Sequence, residues 1–492
     1  MAVQDDEDLK RLNFSRDMLA GMKKNLVFFT TVYGDDMLAK GAYDFYSFIK
    51  IRILFPGYNV KEYLDENERI VKESDFYQEE WSCEELKDKM EQSYTLISQA
   101  KELYKNAEYQ KSENLLLRAK EIRERILGTK HLETSVVYQE LAHLYLELGE
   151  YLKAEKLCEQ LLDIRKEIFG EENSKTLNVY NDLATVYLGQ SKYKDAESIY
   201  LKVLSVGKQI WGENHPELAV SYSNIASLYE MQGRYEEAET MEKKALFIYK
   251  NTLGEEHASV AVCYDALGHL YTMQEKYVEA EKLQRSALKV REKIFGNMHP
   301  SVAVSYNNIA NLCVNKHEYN EAEELYKMAL NIEQKTLGEK HPELAICYYN
   351  LSSLYEKQGK YNQAEEMIKK SLNIDLVGLG EKSHSYTLSL RKLACLYRVQ
   401  KKYEEAEKIF RKVISLQEEI LGKEHPDTVI TYYDLAVLYL EIEEYKAAEM
   451  LLKKVFQVWN EVLGEKHLNT KYALEALEYV SKRLKEKMNG KI

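Results

Sequence analysis

Between about residues 85 and 488, apolar side chains recur at spacings of three and four, the period of helices that bury one face. The pattern repeats in blocks of equal length, such as those that separate Gly128, Gly170, Gly212 and Gly254. In the block from Gly212 to Leu253, His215-Pro216 opens a first helix, helix A, whose buried face carries Tyr222, Ile225, Ala226 and Tyr229. Proline suits a first helical position because its missing N–H would be unpaired there anyway. Gly233-Arg234 turns the chain. A second helix, helix B, runs from Tyr235 to Leu253, with Ala238 at the close helix–helix contact, and Gly254 stops it. Glycine enters left-handed geometry there without steric cost.

The block is one of many. Nine glycines, from Gly128 to Gly464, follow one 42-residue period, and so do nine helix B tyrosines, from Tyr109 to Tyr445. Three residues after each tyrosine stands alanine, or serine at Ser112, which lets two helices approach to the short end of a roughly 8–10 Å packing range. A fixed period of this size predicts an all-α solenoid of antiparallel helix pairs, in which each unit buries its apolar face against its neighbours. The register gives nine units over residues 85–465, then a capping helix and basic tail in 466–492. Residues 1–84 fall outside the period and form a separate N-terminal segment of mixed, possible α/β pattern: a helix, a short apolar strand at Leu26–Thr31 and a second helix.

Histidine recurs three residues after seven of the nine glycines, at His131, His215, His257, His299, His341, His425 and His467. Equivalent positions on adjacent units lie about 8–10 Å apart or more, whereas zinc needs nitrogens at about 2.0–2.1 Å. These histidines are therefore expected to order the turn between units. At one junction, Gly378-Leu379-Gly380 adds a second glycine, and Ser383 stands near the missing histidine. That junction is expected to be the most flexible.

The net charge of −13 argues against nucleic acid or an anionic membrane as partner. Six cysteines without a CxxC pair read as reduced thiols, and no apolar run approaches membrane-spanning length. These features predict a soluble, cytoplasmic protein. No GxxxxGK[ST] loop, nucleophile elbow, HExxH or EF-hand loop occurs, so neither an enzyme nor a metal, cofactor or small-molecule substrate is expected.

Segments such as Gly212-Glu213-Asn214-His215-Pro216, Tyr306-Asn307-Asn308-Ile309-Ala310 and Tyr235-Glu236-Glu237-Ala238-Glu239 resemble the 42-residue tetratricopeptide repeat (TPR) of kinesin light chains and nephrocystin-type proteins. The resemblance covers about residues 85–488 and implies a right-handed superhelix with a concave groove that binds an extended peptide. The chain lacks the long N-terminal heptad coiled coil of a true kinesin light chain. Leu12–Asp17, Val27–Phe29 and Asp44–Tyr46 resemble the last strand-and-helix portion of nucleotide-hydrolase-type domains; residues 1–84 are such a remnant or, alternatively, a helical cap.

In this repeat type, helix A lines the groove at positions six and three before its small residue, and one and four after it. The first position is apolar in Val136, Val220, Val262, Val304, Ile346, Leu388 and Ile430, with Asn178 as the exception. From the other positions the groove candidates are Asn181, Asp265, His269, Asn307, Asn311, Tyr349, Arg391 and Arg398. An asparagine amide both donates and accepts, which suits it to a peptide backbone. Arg391 and Arg398 lie seven apart with Lys392 nearby, a basic patch able to hold a ligand carboxylate. The alternative is that these polar residues keep an empty groove wet. The expected function is a scaffold that binds a protein or peptide segment. Two alternatives remain: the sensing arm of a signalling protein whose NTPase part is missing, and a cargo adaptor like a kinesin light chain.

Overall fold

The computed structural model describes residues 83–465 and 467–488. The expectations for residues 1–82, including the strand and the hydrolase-like remnant, lie outside the described residues. The described helices belong to a unit spanning residues 81–492.

Nineteen α-helices and no strand occur among the described residues. Eighteen of them form nine antiparallel pairs, each a helix A followed by a helix B. The first four pairs are α1 (Cys83–Lys105) with α2 (Tyr109–Leu127), α3 (Leu132–Glu147) with α4 (Tyr151–Phe169), α5 (Ser174–Gly189) with α6 (Tyr193–Trp211), and α7 (Pro216–Met231) with α8 (Tyr235–Leu253). The next three are α9 (Ala258–Met273) with α10 (Tyr277–Phe295), α11 (Pro300–Asn315) with α12 (Tyr319–Leu337), and α13 (Glu343–Lys357) with α14 (Tyr361–Gly378). Then come α15 (His384–Val399) with α16 (Tyr403–Ile420), and α17 (Pro426–Glu441) with α18 (Tyr445–Val462). The last helix, α19 (Leu468–Met488), packs on α18. The pairs stack as a right-handed superhelical solenoid.

The helix ends show why the period is so strict. Each of the seven recurrent histidines accepts, through Nδ1, the backbone N–H two residues on, at 3.1–3.3 Å. This satisfies one of the orphan donors of the following helix. Asn173 fills the same role in the second junction and Ser383 in the seventh. Four threonines six residues after the glycine, Thr134, Thr176, Thr428 and Thr470, donate to that glycine's carbonyl at 2.8–2.9 Å. The glycines themselves depart from the expected left-handed helical geometry. Gly128 has φ 83° and ψ 167°, and Gly212 has φ 78° and ψ 169°. That extended mirror region is essentially closed to any residue with a Cβ, which explains a glycine there more fully than a helical cap would.

The turn inside each pair needs positive φ at one residue, and that position recurs with the same period as the helices. Gly149, Gly233 and Gly359 supply it in three pairs; Ala107, Ser191, Glu275, His317, Lys401 and Glu443 supply it in the others at φ 55–62°. The double glycine near residue 380 has two separate causes. A Cβ on Gly378 would lie 2.9 Å from the ring of Pro342, and Gly380 has φ +87°.

Inside the pairs, the helix B alanines from Ala154 to Ala448 are fully buried. Where serine replaces alanine its hydroxyl finds the facing backbone: Ser112 Oγ donates to Ala100 O and Ser352 Oγ to Ala364 O, both at 2.8 Å. First helices of neighbouring pairs approach one another more closely than second helices do, as at α5–α7, α9–α11, α11–α13 and α15–α17. The array therefore curves toward the first helices. The curvature brings together segments far apart in sequence, such as Gly189 and His425.

Candidate functional site

The inner wall of the curve is built from helix A of each pair, because every helix A buries one face against its own helix B and turns another toward the first helices of its neighbours. The first stripe position is solvent-exposed and β-branched in four successive units: Val220 (40 % exposed), Val262 (56 %), Val304 (42 %) and Ile346 (56 %). Val136, Leu388 and Ile430 are half-buried, and Asn178 is exposed. Four open apolar side chains in one register make a continuous row.

The polar candidates are placed as follows. Asn181, on α5, is half-buried, and its Oδ1 accepts no hydrogen bond. Asp265, on α9, forms an ion pair with Arg291 of α10; burial raises its pKa, and Arg291 opposes that. His269 Nε2 lies 3.0 Å from Glu230 Oε1, and this hydrogen bond holds its proton above the ordinary imidazole value. Asn307 is buried, and its Nδ2 lies 3.1 Å from Cys347 Sγ. Asn311 is exposed, and its Oδ1 accepts the hydroxyl of the buried Tyr326 at 2.5 Å. Tyr349 is half-buried, with Lys392 Nζ at 6.0 Å over its ring.

Arg391 and Arg398 face carboxylates that the sequence placed one unit further on. Arg391 Nε lies 3.6 Å from Asp434 Oδ2, Arg398 pairs with Glu441, and Lys392 pairs with Glu356 of the preceding unit. The three cations thus meet three carboxylates, so the surface here is a charge-paired ladder and not a net basic patch. Arg391 Nη1 and Arg398 Nε still carry donors without a partner. A separate pair of the same kind joins the second and third units, where His143 Nε2 lies 3.4 Å from Asp182 Oδ2. Asp182 and Glu441 stand 39 and 43 residues from their partners in sequence, so the signal available was an opposite charge close to one period away.

One trio among the described residues, Cys313, Glu318 and Glu321, brings metal-type donor atoms within 4.8 Å of each other. Its carboxylates already pair with Lys316 and Arg285. No described helix is long and apolar enough to cross a membrane.

Among solved structures, the nearly identical TPR-like repeats of a Podosopora anserina protein described as a kinesin light chain are similar at 25% identity. That similarity covers 42% of this chain and 98% of the other, with a TM-score of 0.36. BtubC (BKLC) from P. vanneervenii is similar at 24% identity over 47% of this chain and 91% of its own, with a TM-score of 0.37. A Rap protein complexed with competence and sporulation factor aligns at 16% identity over 72% of this chain and 99% of its own, with a TM-score of 0.43. No curated protein matches the sequence. The tetratricopeptide-repeat model matches residues 92–167, 138–209, 175–251, 219–293, 301–376 and 386–458, and with the helix pairs described above this makes the chain a member of the tetratricopeptide-repeat family.

Proposed function

We propose that this protein is a non-catalytic scaffold that holds an extended segment of a partner protein along its helix A face. The observation that carries the reading is the exposed row Val220, Val262, Val304 and Ile346, bordered by Ser223, Asp265, Asn307 and Tyr349 of the next stripe. Burying such a row against a peptide removes apolar surface from water at about 25 cal/mol per Å². The fixed spacing of the wall means little has to be ordered on binding. The exposed Asn311, on the same helix as Val304, carries an amide that can donate as well as accept and so supplies direction. The charge-paired ladder favours a ligand of low net charge over nucleic acid. A cytoplasmic location agrees with such a partner and with the five free described cysteines.

A displayed random-peptide library tests this directly. Selection on the wild-type chain should enrich segments with apolar residues at regular spacing. The same peptides should be lost on a Val262→Asp/Ile346→Asp variant whose helicity is unchanged. Peptides that bind both proteins equally, or a selection that enriches nothing, would move the binding surface elsewhere.

A further inference from the structure

We propose that His425 is the centre of a clasp between successive turns of the superhelix, closed at neutral pH and opened by acidification, which sets how far the helix A face is accessible. Three within-pair turns meet three helix starts that lie more than five units further along the chain. The Gly149 turn lies against His384, whose Cβ is so close that a Cβ on Gly149 would come to 2.9 Å. The turn after α5 meets His425, and the Gly233 turn lies by His467, whose ring atoms are 3.6–3.8 Å from that glycine's Cβ position. No other segment pairs of the described residues are joined by hydrogen bonds over such a sequence distance.

His425 joins two helices end to end. Its Nδ1 accepts the Asp427 N–H at 3.2 Å and so caps the start of α17. An accepting Nδ1 places the proton on Nε2, which lies 2.8 Å from Gly189 O, an orphan carbonyl at the end of α5. Ser191 Oγ stands 3.4 Å from the same nitrogen. The ring is 8 % exposed. The positive end of α17 thus faces the negative end of α5, a favourable alignment of the two dipoles.

This arrangement requires a neutral ring. Protonation at Nδ1 would set two N–H groups against each other and put a cation at the positive end of a helix. The surrounding groups do not compensate. On α17 Asp427 stands 3.8 Å from Nδ1, but it already pairs with His384 of α15 at 3.2 Å. The His384 ring itself is 6.3 Å away, and Arg391 of α15 acts on Asp427. The α5–α6 turn contributes Ser191 and Tyr193, and α4 contributes Tyr151. Burial pushes the His425 pKa down, and Asp427 and the hydrogen bond to Gly189 only partly offset this, while His384 adds to the lowering. Opening the clasp returns the ring to water, where it takes up a proton at the ordinary imidazole value of about 6.5. The open form therefore binds more protons, so falling pH favours it. The His384–Asp427 pair joins neighbouring units at 3.2 Å.

The experiment is a distance measurement on the full chain, with spin labels at exposed Lys194 and Glu424 on either side of the clasp. The wild-type distance should be short at pH about 8 and shift to longer values at about 5.5. His425→Asn keeps the cap, as Asn173 does at 2.9 Å from Lys175 N, but neither reaches Gly189 nor titrates. It should show the long distance at both pH values with unchanged helicity by circular dichroism. His299→Asn, the same cap on a histidine outside these three turn contacts, should behave as wild type. A wild-type distance that ignores pH, or a His425→Asn variant that keeps the short distance or the pH response, would overturn the clasp. Because this readout needs no ligand, its failure is distinguishable from failure of the peptide-groove reading.

Discussion

Cys347 Sγ lies 3.1 Å from Glu333 Oε2, across the seam between α12 and α13, with Asn307 Nδ2 at 3.1 Å on the other side of the sulfur. Glu333 is only 3 % exposed and pairs with no described cation, so burial pushes its pKa up to about 7. The folded state therefore binds this proton more tightly than the unfolded chain, whose carboxyl titrates near its ordinary value. The stabilising contribution is complete below about pH 4.5 and is lost as pH rises through about 7.

Glu333→Gln removes that loss while keeping an acceptor for the thiol. The variant should match wild type at acid pH and exceed it above pH about 8 by roughly 3 kcal/mol at most, at about 1.36 kcal/mol per unit. Urea melts of both proteins across that range check this. A constant difference between them would show that the Glu333 carboxyl titrates alike in the folded and unfolded states.

The Arg391–Asp434 pair offers a second test. Both side chains are largely buried, and removing one partner strands the other. Arg391→Met and Asp434→Asn should each destabilise the protein, and the double variant should recover part of the loss. A coupling energy of roughly 1–3 kcal/mol in a double-mutant cycle is expected. Zero coupling would mean that the two residues act independently and that Arg391 is free for a ligand.

The helix pairs and their turns were legible in the sequence because they rest on residues that recur, such as the tyrosines, the small residues and the capping histidines. What escaped was the column that does not recur. Fourteen residues after each helix B tyrosine stand Arg123, Arg165, Gly207, Tyr249, Arg291, Glu333, Asp375, Gln417 and Trp459. A search for shared pattern averages such a column away. Yet Arg291 meets Ser305 at 2.5 Å, Asp375 meets Ser389 at 2.9 Å, and Gln417 meets Thr431 at 2.7 Å, each partner fourteen residues further on. A buried polar residue is tolerated only opposite its own partner, so these seams distinguish units that otherwise look alike. In the candidate groove the apolar row was readable for the same reason as the helices. The neutralising carboxylates Asp434 and Glu441 were missed because they sit on the next unit. The contact between Gly189 and His425 had no local signal at all, since it follows from curvature summed over several units.

The within-pair turns predict a gain of stability. Glu275 and Glu443 are exposed and sit at φ 60° and 59°, where Gly233 sits at 72° in an equivalent turn. The left-handed region costs a residue with a Cβ about 1–2 kcal/mol, partly offset by the greater unfolded-state entropy of glycine. Glu275→Gly and Glu443→Gly should each stabilise the array by up to about 1 kcal/mol. Because they are four units apart, their effects should add. Equilibrium unfolding of the two single variants and the double decides it, and a loss of stability in either would mean that the glutamate makes a compensating interaction.

Gly189 predicts the opposite effect for a different reason. It is helical, so no positive φ demands glycine; space does. A Cβ there would meet the ring of Tyr151 at 2.3–2.7 Å, far inside contact distance, and that ring is confined between α4 and the end of α5. Gly189→Ala gains helix propensity of about 1 kcal/mol, but it must displace an aromatic ring, and overpacking of this kind costs roughly 1–3 kcal/mol. A net loss of stability is expected. Shortening the obstacle should reverse the sign: in a Tyr151→Leu background the same Gly189→Ala change should be neutral or stabilising. Equal destabilisation in both backgrounds would show that the ring is not what excludes a side chain at this position, and that the backbone carbonyl bonded to His425 is the sensitive element instead.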